Sequence, residues 1–481
     1  MARILSVVLM VLAAQHSLAQ ATRPNSPRRP NILFALADDW GYGHAGVYGD
    51  KVVKTPTFDR VAREGVLFQR AYCTSPSCTP SRGSILTGRP VHQLEEGGNL
   101  WSTLPKKFVC YPDLLEAQGY VVGLTRKGWA PGTIEGTGRT RNPAGPPFKD
   151  FATFRKTVPA GQPWCFWFGS QDPHRPYVKD TGVASGMNPA DVKIPPYLPD
   201  TPEVRGDICD YYFAVQRYDR ETGEILQILE RNGELEDTIV VMTGDNGWPF
   251  PRSKANLYDC GTHESLAIRW PGVARPGLVV DEFVTFCDFA PTFLQAAGLA
   301  PLGEMTGRSL VPLLRGEQQG GRDRVFVERE RHANVREGDL SYPCRAIRTR
   351  DFLYLRNLRP DRWPAGDPRM WKAVGPFGDI DDGPSKQFIL NHRDESETGR
   401  FFKLACGKRP GEELYDLRQD PGELINIAGR PEYAADRARL RAALDQWMKD
   451  TSDPRVDETV DPWDKYPYIT VPVRRAGNTG N

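Results

Sequence analysis

Three short stretches of the 481-residue chain carry side chains whose types and spacing could do chemistry. In CTPSRGSILTGR, Cys78 to Arg89, a cysteine stands at the entry to a short helix: Pro80 suits a first turn and Gly88 the position just past the end. A group placed there faces unpaired backbone N–H donors and the positive end of the helix dipole, and Arg82 adds a cationic fork, so an anion is welcome. The plainer alternative is a half-buried cysteine or a thiol of lowered pKa, but no Cys-His-Asn pattern of a thiol hydrolase accompanies it. Asp38-Asp39 and Asp245-Asn246 each follow an apolar run. Either pair alone reads as a helix or turn cap. Together, three acids and an amide oxygen are hard ligands suited to Ca2+ or Mg2+ rather than zinc.

The elements that must position these groups alternate. Asn31 to Ala37 reads as a buried strand running into Asp38, and Thr55-Pro56 opens a helix that Gly65 stops after Glu64. A helix and then a strand, Val121 to Leu124, precede TRKGWAPG; a further strand, Cys165 to Phe168, empties into QDPHRPY with His174. A long helix runs from Thr201-Pro202 to about Glu230, its apolar face including Ile208, Tyr212, Val215, Ile225 and Leu229. Thr238 to Thr243 is a strand ending at Asp245-Asn246. This order predicts an α/β fold with helices on both faces of a sheet, whose ligand site lies at the carboxyl ends of the strands. Asp38, Asp39, His174, Asp245 and Asn246 all occupy such ends. Past residue 335 the alternation of SYPCRAIRTRDFLYLRNL and a charged helix from Pro431 to Lys449 predict a smaller C-terminal α+β subdomain over 336–450, after a first domain over 20–335. The Pro- and aromatic-rich tail, 451–481, has no assigned structure.

Lys and Arg (62) nearly cancel Asp and Glu (61), so global charge points to neither nucleic acid nor an acidic membrane surface. Residues 1–19, with Arg3, an apolar run and a small-x-small exit, read as a signal peptide, which predicts export to a periplasm or the extracellular space, or to a lysosome in a eukaryote. No cysteine follows the cleavage point to take a lipid anchor. Nine cysteines without CxxC spacing are an odd number, so at least one is unpaired in an exported chain, and Cys78 is the natural one.

CTPSRGSILTGR resembles the C-x-P-S-R-x-x-x-L-T-G motif of sulfatases, in which the cysteine is oxidised to formylglycine (3-oxoalanine). RPNILFALADDWGYG, TGDNG, KANLYDCGTHESLAIRWPG and ELYDLRQDPGE resemble further blocks of that family in the same order, over roughly residues 30–450. QDPHRPY, DNGWPFPRSKANLY and YPCRAIRTRDFLYLRNL are most similar to its heparan N-sulfatase branch. The resemblance implies an alkaline-phosphatase-like fold, a large mixed sheet sandwiched by helices with a smaller C-terminal α+β domain. It implies one Ca2+ held by Asp38, Asp39, Asp245 and Asn246 beside the modified Cys78, whose hydrate attacks sulfur and later expels sulfate. Arg82, Lys127 and Lys254 would neutralise charge around the sulfate, and His174 would protonate the leaving group or hydrogen-bond to sulfate. The partners implied are a sulfated saccharide and a formylglycine-generating or anaerobic sulfatase-maturating enzyme.

One departure stands out. Where the family reads G-K-x-H, this chain keeps Lys127 but carries Trp129 in place of the histidine that assists breakdown of the sulfated intermediate. His44 and His263 are the candidates to compensate. Glu330, His332, Arg345 and Arg348 are candidates to contact a sugar carboxylate or amino-sulfate, against the alternative of a solvated charged surface. The sequence reading is therefore a Ca2+-dependent hydrolase of the N-sulfate of glucosamine in heparan or heparin, with an O-sulfatase on sugars or aryl sulfates, or a sulfoglycan-binding protein of impaired catalysis, as alternatives.

Overall fold

The computed structural model describes residues 29–372 and 375–469; the expected signal peptide lies outside them. Strands β1 (Asn31–Ala37), β2 (Val66–Tyr72), β3 (Val121–Arg126), β4 (Trp164–Gly169), β5 (Thr238–Gly244), β6 (His263–Arg269), β7 (Leu278–Val280) and β8 (Val284–Thr285) form one mixed sheet in the order β8-β2-β6-β5-β1-β4-β3, with β7 also on β2. Pairings among β5, β1, β4 and β3 are parallel, whereas β6 runs antiparallel to both β5 and β2.

Every residue of β1 is buried, which explains why its sequence is a continuous apolar run rather than an alternation. Its successive side chains feed two cores. Ile32, Phe34 and Leu36 pack on one face with Phe289 and Phe293, and Leu33, Ala35 and Ala37 on the other with Tyr218. The second face is covered by the helix Pro202–Arg231, whose Ile208, Tyr212, Val215, Ile225 and Leu229 are buried as the sequence pattern predicts. Tyr218 ties that helix to the sheet by donating to the Ala35 carbonyl at 2.8 Å.

A second, antiparallel sheet comprises β9 (Arg324–Arg329), β10 (Cys344–Thr349), β11 (Phe352–Asn357) and β12 (Glu412–Asp416) in that order. Its first strand lies before residue 336, where the sequence reading starts the subdomain. The helix Ala434–Asp450 covers one face through Leu440, Leu444 and Met448, and the other face packs with Tyr72, Leu257 and Tyr258 of the first region.

The tail has a structure that its sequence did not announce. It returns to the first region, where Trp463 is buried and donates to the Glu95 carbonyl at 2.9 Å, and the Ile469 N–H reaches the Trp101 carbonyl at 2.9 Å. None of the nine cysteines is in a disulfide and eight of them are buried, so the odd count does not single out Cys78.

Candidate active site

β1 and β5 are parallel neighbours in register, with Ala37 opposite Gly244. The residues that follow them, Asp38-Asp39 and Asp245-Asn246, therefore emerge side by side. The Asp39 N–H donates to Asp245 Oδ1 at 3.0 Å, and Asp39 itself sits at φ 71°, a left-handed conformation that aspartate tolerates better than most residues. The helix Cys78–Thr87 begins at the same place, wholly buried and ended by Gly88 at φ 68°. Its first residue brings Cys78 Sγ to 3.4 Å from Asp38 Oδ1 and 3.9 Å from Asp39 Oδ1.

One ligand atom from each of Asp38, Asp39, Cys78 and Asp245 lies within 4.8 Å of the others. Asn246 Oδ1 is buried with no hydrogen-bond partner, while its Nδ2 donates to Asp39 and Asp245. A buried amide oxygen left unpaired is costly, and a cation among these oxygens would satisfy it. Three carboxylates and one amide oxygen fit a hard divalent ion.

Cations crowd the carboxylates. Lys127 Nζ lies 2.6 and 2.7 Å from the two oxygens of Asp38, and Lys254 Nζ lies 2.7 Å from Asp39 Oδ2 and 3.0 Å from Asp381 Oδ2. Burial pushes the Asp38 carboxyl up, but Lys127, His174, Arg82 and Lys254 outweigh it and hold the group far below the usual range. At Asp39 burial wins, and the carboxyl is raised to about 6 despite Lys254 and His174. Burial would lower both lysines, yet Asp38 holds Lys127, and Asp381 with Asp39 holds Lys254, above the ordinary value, so both remain ammonium ions. Burial also pushes the Cys78 thiol well above its normal value. An unmodified Cys78 is thus a protonated thiol and a poor nucleophile.

Asp38, Cys78, Lys127, His174 and Lys254 line a cavity of about 1040 Å³. Lys127 follows β3 and is fixed by the end of β4: its N–H donates to the Gly169 carbonyl at 3.0 Å, and any Cβ on Gly169 would lie 1.7 Å from the Lys127 carbonyl oxygen. His174 Nδ1 donates to the Arg175 carbonyl at 2.5 Å, which leaves Nε2 facing inward, 3.8 Å from Asp39 Oδ2. The upper wall includes Trp101, His332, Asn334, Asp381 and the tail residue Tyr468.

Several expectations need correction. Arg82 does not line the cavity. Its guanidinium is fully buried behind the carboxylates, bound to Asp245 at 2.7 Å and to the Lys127 and Gly128 carbonyls, so it holds the acids in place and its charge acts across them. His44 bonds Tyr211 and packs among Tyr211, Tyr212 and Trp248, and His263 is stacked between Tyr42 and Tyr72; neither reaches the cavity, and burial lowers each to about 4. Glu330, Arg345 and Arg348 are neither ligand contacts nor a solvated surface. They are buried and paired, Glu330 with Arg345 and Arg455, and Arg348 with Asp259. His332 alone of that group faces the cavity, buried, with Nδ1 2.9 Å from Ser77 Oγ next to Cys78. Trp129 is packed into the core, where its indole fills the space under Gly132.

Asp381, Trp101 and Tyr468 were missed. Each lies in a loop or tail without periodicity, and GDIDDG reads as an ordinary acidic turn.

The sulfatase family matches residues 30–299, and the family described as "N-sulphoglucosamine sulphohydrolase, C-terminal" matches residues 244–364. Human N-sulphoglucosamine sulphohydrolase is 31% identical over 89% of this chain and 92% of its own length. The chain belongs to the sulfatase family. An ulvan-active sulfatase of Formosa agariphila is 29% identical over 90% of this sulfatase and 77% of the relative. Among solved structures, one in complex with its substrate D-glucosamine-2-N,6-O-disulfate superposes with a TM-score of 0.62 at 20% identity, covering 91% of this chain and all (100%) of the other. A phosphonate monoester hydrolase from Silicibacter pomeroyi gives 0.66 at 19% identity, covering 89% and 97%. The mixed sheet with its separate antiparallel C-terminal sheet is thus the alkaline-phosphatase-like fold of these enzymes.

Proposed function

We propose that this enzyme removes sulfate from sulfated glycans, and that its substrate is the N-sulfate of a terminal glucosamine in heparan or heparin. One observation carries the chemistry: Cys78 opens a buried helix at the floor of a cavity, among three carboxylates and an orphaned amide oxygen. The substrate class is supported by the similarity to N-sulphoglucosamine sulphohydrolase over most of both chains. In this reading Asp38, Asp39, Asp245 and Asn246 would hold a Ca2+ ion, which would supply Lewis-acid polarisation of sulfate oxygens, and Cys78, once converted by a maturating enzyme to formylglycine, would offer a hydrate hydroxyl in place of an inert thiol.

The chain's own groups set the rest. Lys127 and Lys254 present ammonium charge at the floor, where the sulfate oxygens would lie. With Nδ1 donating to the Arg175 carbonyl, His174 turns Nε2 toward the cavity, where the imidazolium form would give its Nε2 proton to the departing nitrogen. Trp101 and Tyr468 offer aromatic faces higher up for the sugar ring. Residues 1–19 direct export, as their signal-like pattern implies.

Two measurements test this reading. Mass analysis of the peptide from Thr74 to Arg82, from protein made in its native host, is expected to show an aldehyde at Cys78, and an intact thiol would overturn the mechanism. Sulfate release from N-sulfoglucosamine, 6-O-sulfoglucosamine and a chromogenic aryl sulfate is expected to favour the first. Release only from the O-sulfates would make it an O-sulfatase, and glycan binding without turnover by aldehyde-bearing protein would make it a binding protein.

A further inference from the structure

An acid in the wall of a pocket for anions calls for an explanation. Three carboxylates line the cavity: Asp38, Asp172 and Asp381. Two are saturated. Both oxygens of Asp38 accept from Lys127, and those of Asp172 accept from Arg217 at 2.5 and 2.9 Å. Asp381 differs. Its Oδ2 accepts from Lys254 at 3.0 Å, while Oδ1 has no hydrogen-bond partner among the described residues and the side chain keeps 25% exposure.

Asp381 is also held in place. Two residues earlier, Asp379 Oδ2 is gripped by Arg329 and Arg336, each at 2.5 Å, and its Oδ1 accepts from the Ala333 N–H at 2.9 Å. The Ile380 carbonyl accepts from Lys386 Nζ at 2.8 Å. The carboxylate is therefore fixed beside His174: one oxygen each of Asp39 and Asp381 and one ring nitrogen of His174 lie within 4.8 Å of each other. Lys254 and His174 keep Asp381 ionised in spite of burial.

A fixed negative charge here opposes sulfate, and although it can accept a hydrogen bond from a neutral hydroxyl, it gains no net charge attraction from one. It favours a cationic donor, because an ammonium adds Coulomb attraction in a partly desolvated site to the hydrogen bond that a hydroxyl could also donate. The departing half of an N-sulfated amino sugar is a primary amine, which is largely protonated in mildly acidic buffer. We propose that Asp381 is a specificity residue of the pocket: its free oxygen binds the amino group of the product sugar, so that the cavity distinguishes amine-bearing from hydroxyl-bearing or acylated sugars. This rests on the reading of the cavity as an amino-sugar sulfatase site, but it is tested by binding, without turnover.

The experiment measures binding of D-glucosamine, N-acetylglucosamine, glucose and inorganic sulfate to the full-length protein by calorimetry in mildly acidic buffer, for wild type, Asp381→Asn and Asp381→Glu. Wild type is expected to bind glucosamine about tenfold more tightly than the two neutral sugars. Asp381→Asn should erase that preference while tightening sulfate, since one opposing charge is gone, and Asp381→Glu should restore part of the preference. Equal affinities for the three sugars in wild type, or an undiminished preference in Asp381→Asn, would overturn the proposal. So would a parallel loss of all three sugars and of sulfate in Asp381→Asn, which marks a mere prop for Lys254. Failure to release N-sulfate, with the glucosamine preference intact, would remove the substrate assignment and leave Asp381 as an amine site.

Discussion

The protein buries two clusters of charge, and they differ in one respect. At the junction of the two sheets, Arg345, Arg455 and His92 face Glu328, Glu330 and Asp453. Arg345 grips Asp453 at 2.5 and 3.0 Å and Glu330 at 2.9 Å, Arg455 holds Glu330 at 2.7 Å, and His92 holds Glu328 at 2.8 Å. Every carboxylate oxygen there has a donor, and Trp463 is stacked over the two guanidiniums, 5.7 and 5.4 Å away. Around Cys78 the charges are as numerous and Asp38, Asp39, Asp245 and Arg82 as deeply buried, but Asn246 Oδ1 and Asp381 Oδ1 are left open and the cluster borders a cavity. Saturation marks a strut that joins the tail and the second sheet to the first region. Unfilled valences mark a site that awaits ligands. Charge and burial alone do not tell the two apart.

That distinction can be broken in graded ways. Cys78→Ala should lower sulfate release by about 10³-fold or more, with a thermal midpoint close to wild type, because the nucleophile acts as part of a unit; appreciable residual turnover would contradict its role. Arg345→Ala should do the reverse. It strands buried Asp453 and Glu330 and should cost about 3–5 kcal/mol in urea unfolding, with kcat retained in whatever remains folded; a loss under about 1 kcal/mol would mean the strut is not saturated in solution. Ca2+ at a hundredfold excess over its Kd should raise stability by about 2.7 kcal/mol, and a chelator should remove that gain together with activity. Asn246→Ala should abolish most of this calcium-dependent shift, and an unchanged shift would place the ion elsewhere. Trp101→Ala should raise KM for N-sulfoglucosamine about tenfold and leave kcat nearly unchanged, as expected for loss of a stacking face. An equal fall in kcat would instead assign Trp101 to the chemistry.

The smallest effect concerns pH. Burial lowers the His92 pKa, but Glu328 and Asp453 outweigh it and raise the group above its unfolded value. Its contribution to stability is therefore full below about pH 6.5 and is lost as pH rises through the raised folded value. The urea midpoint should decline over that range in wild type and less so in His92→Gln; identical pH profiles would show that His92 is not part of the strut's charge balance.

Much of the floor of the site was legible because its residues are local. Asp38-Asp39 and Asp245-Asn246 each follow a fully buried strand, and a short apolar run, residues 32–37 in one and 239–242 in the other, announces such a strand without any long-range information. CTPSR identifies its own helix start in the same way. Which of His44, His263 and His332 would face the cavity was not legible, nor was Asp381 of its upper wall. His44 and His263 differ from His332 only in what surrounds them: two sit among tyrosines away from the cavity, and the third looks into it beside Ser77. Glu330, just past the end of β9, and Arg345 of β10 look ordinary until Asp453 and Arg455 of the tail come back to meet them.

The sequence by itself determined the α/β order, the pairing of two acidic strand ends and the cysteine at a helix entry, because periodicity, caps and short motifs act over a few residues. Only the tertiary structure decided which charges are struts and which are open to a ligand. That outcome depends on whether a donor from a distant segment occupies each oxygen, as Arg455 does for Glu330 and as no described residue does for the second oxygen of Asp381.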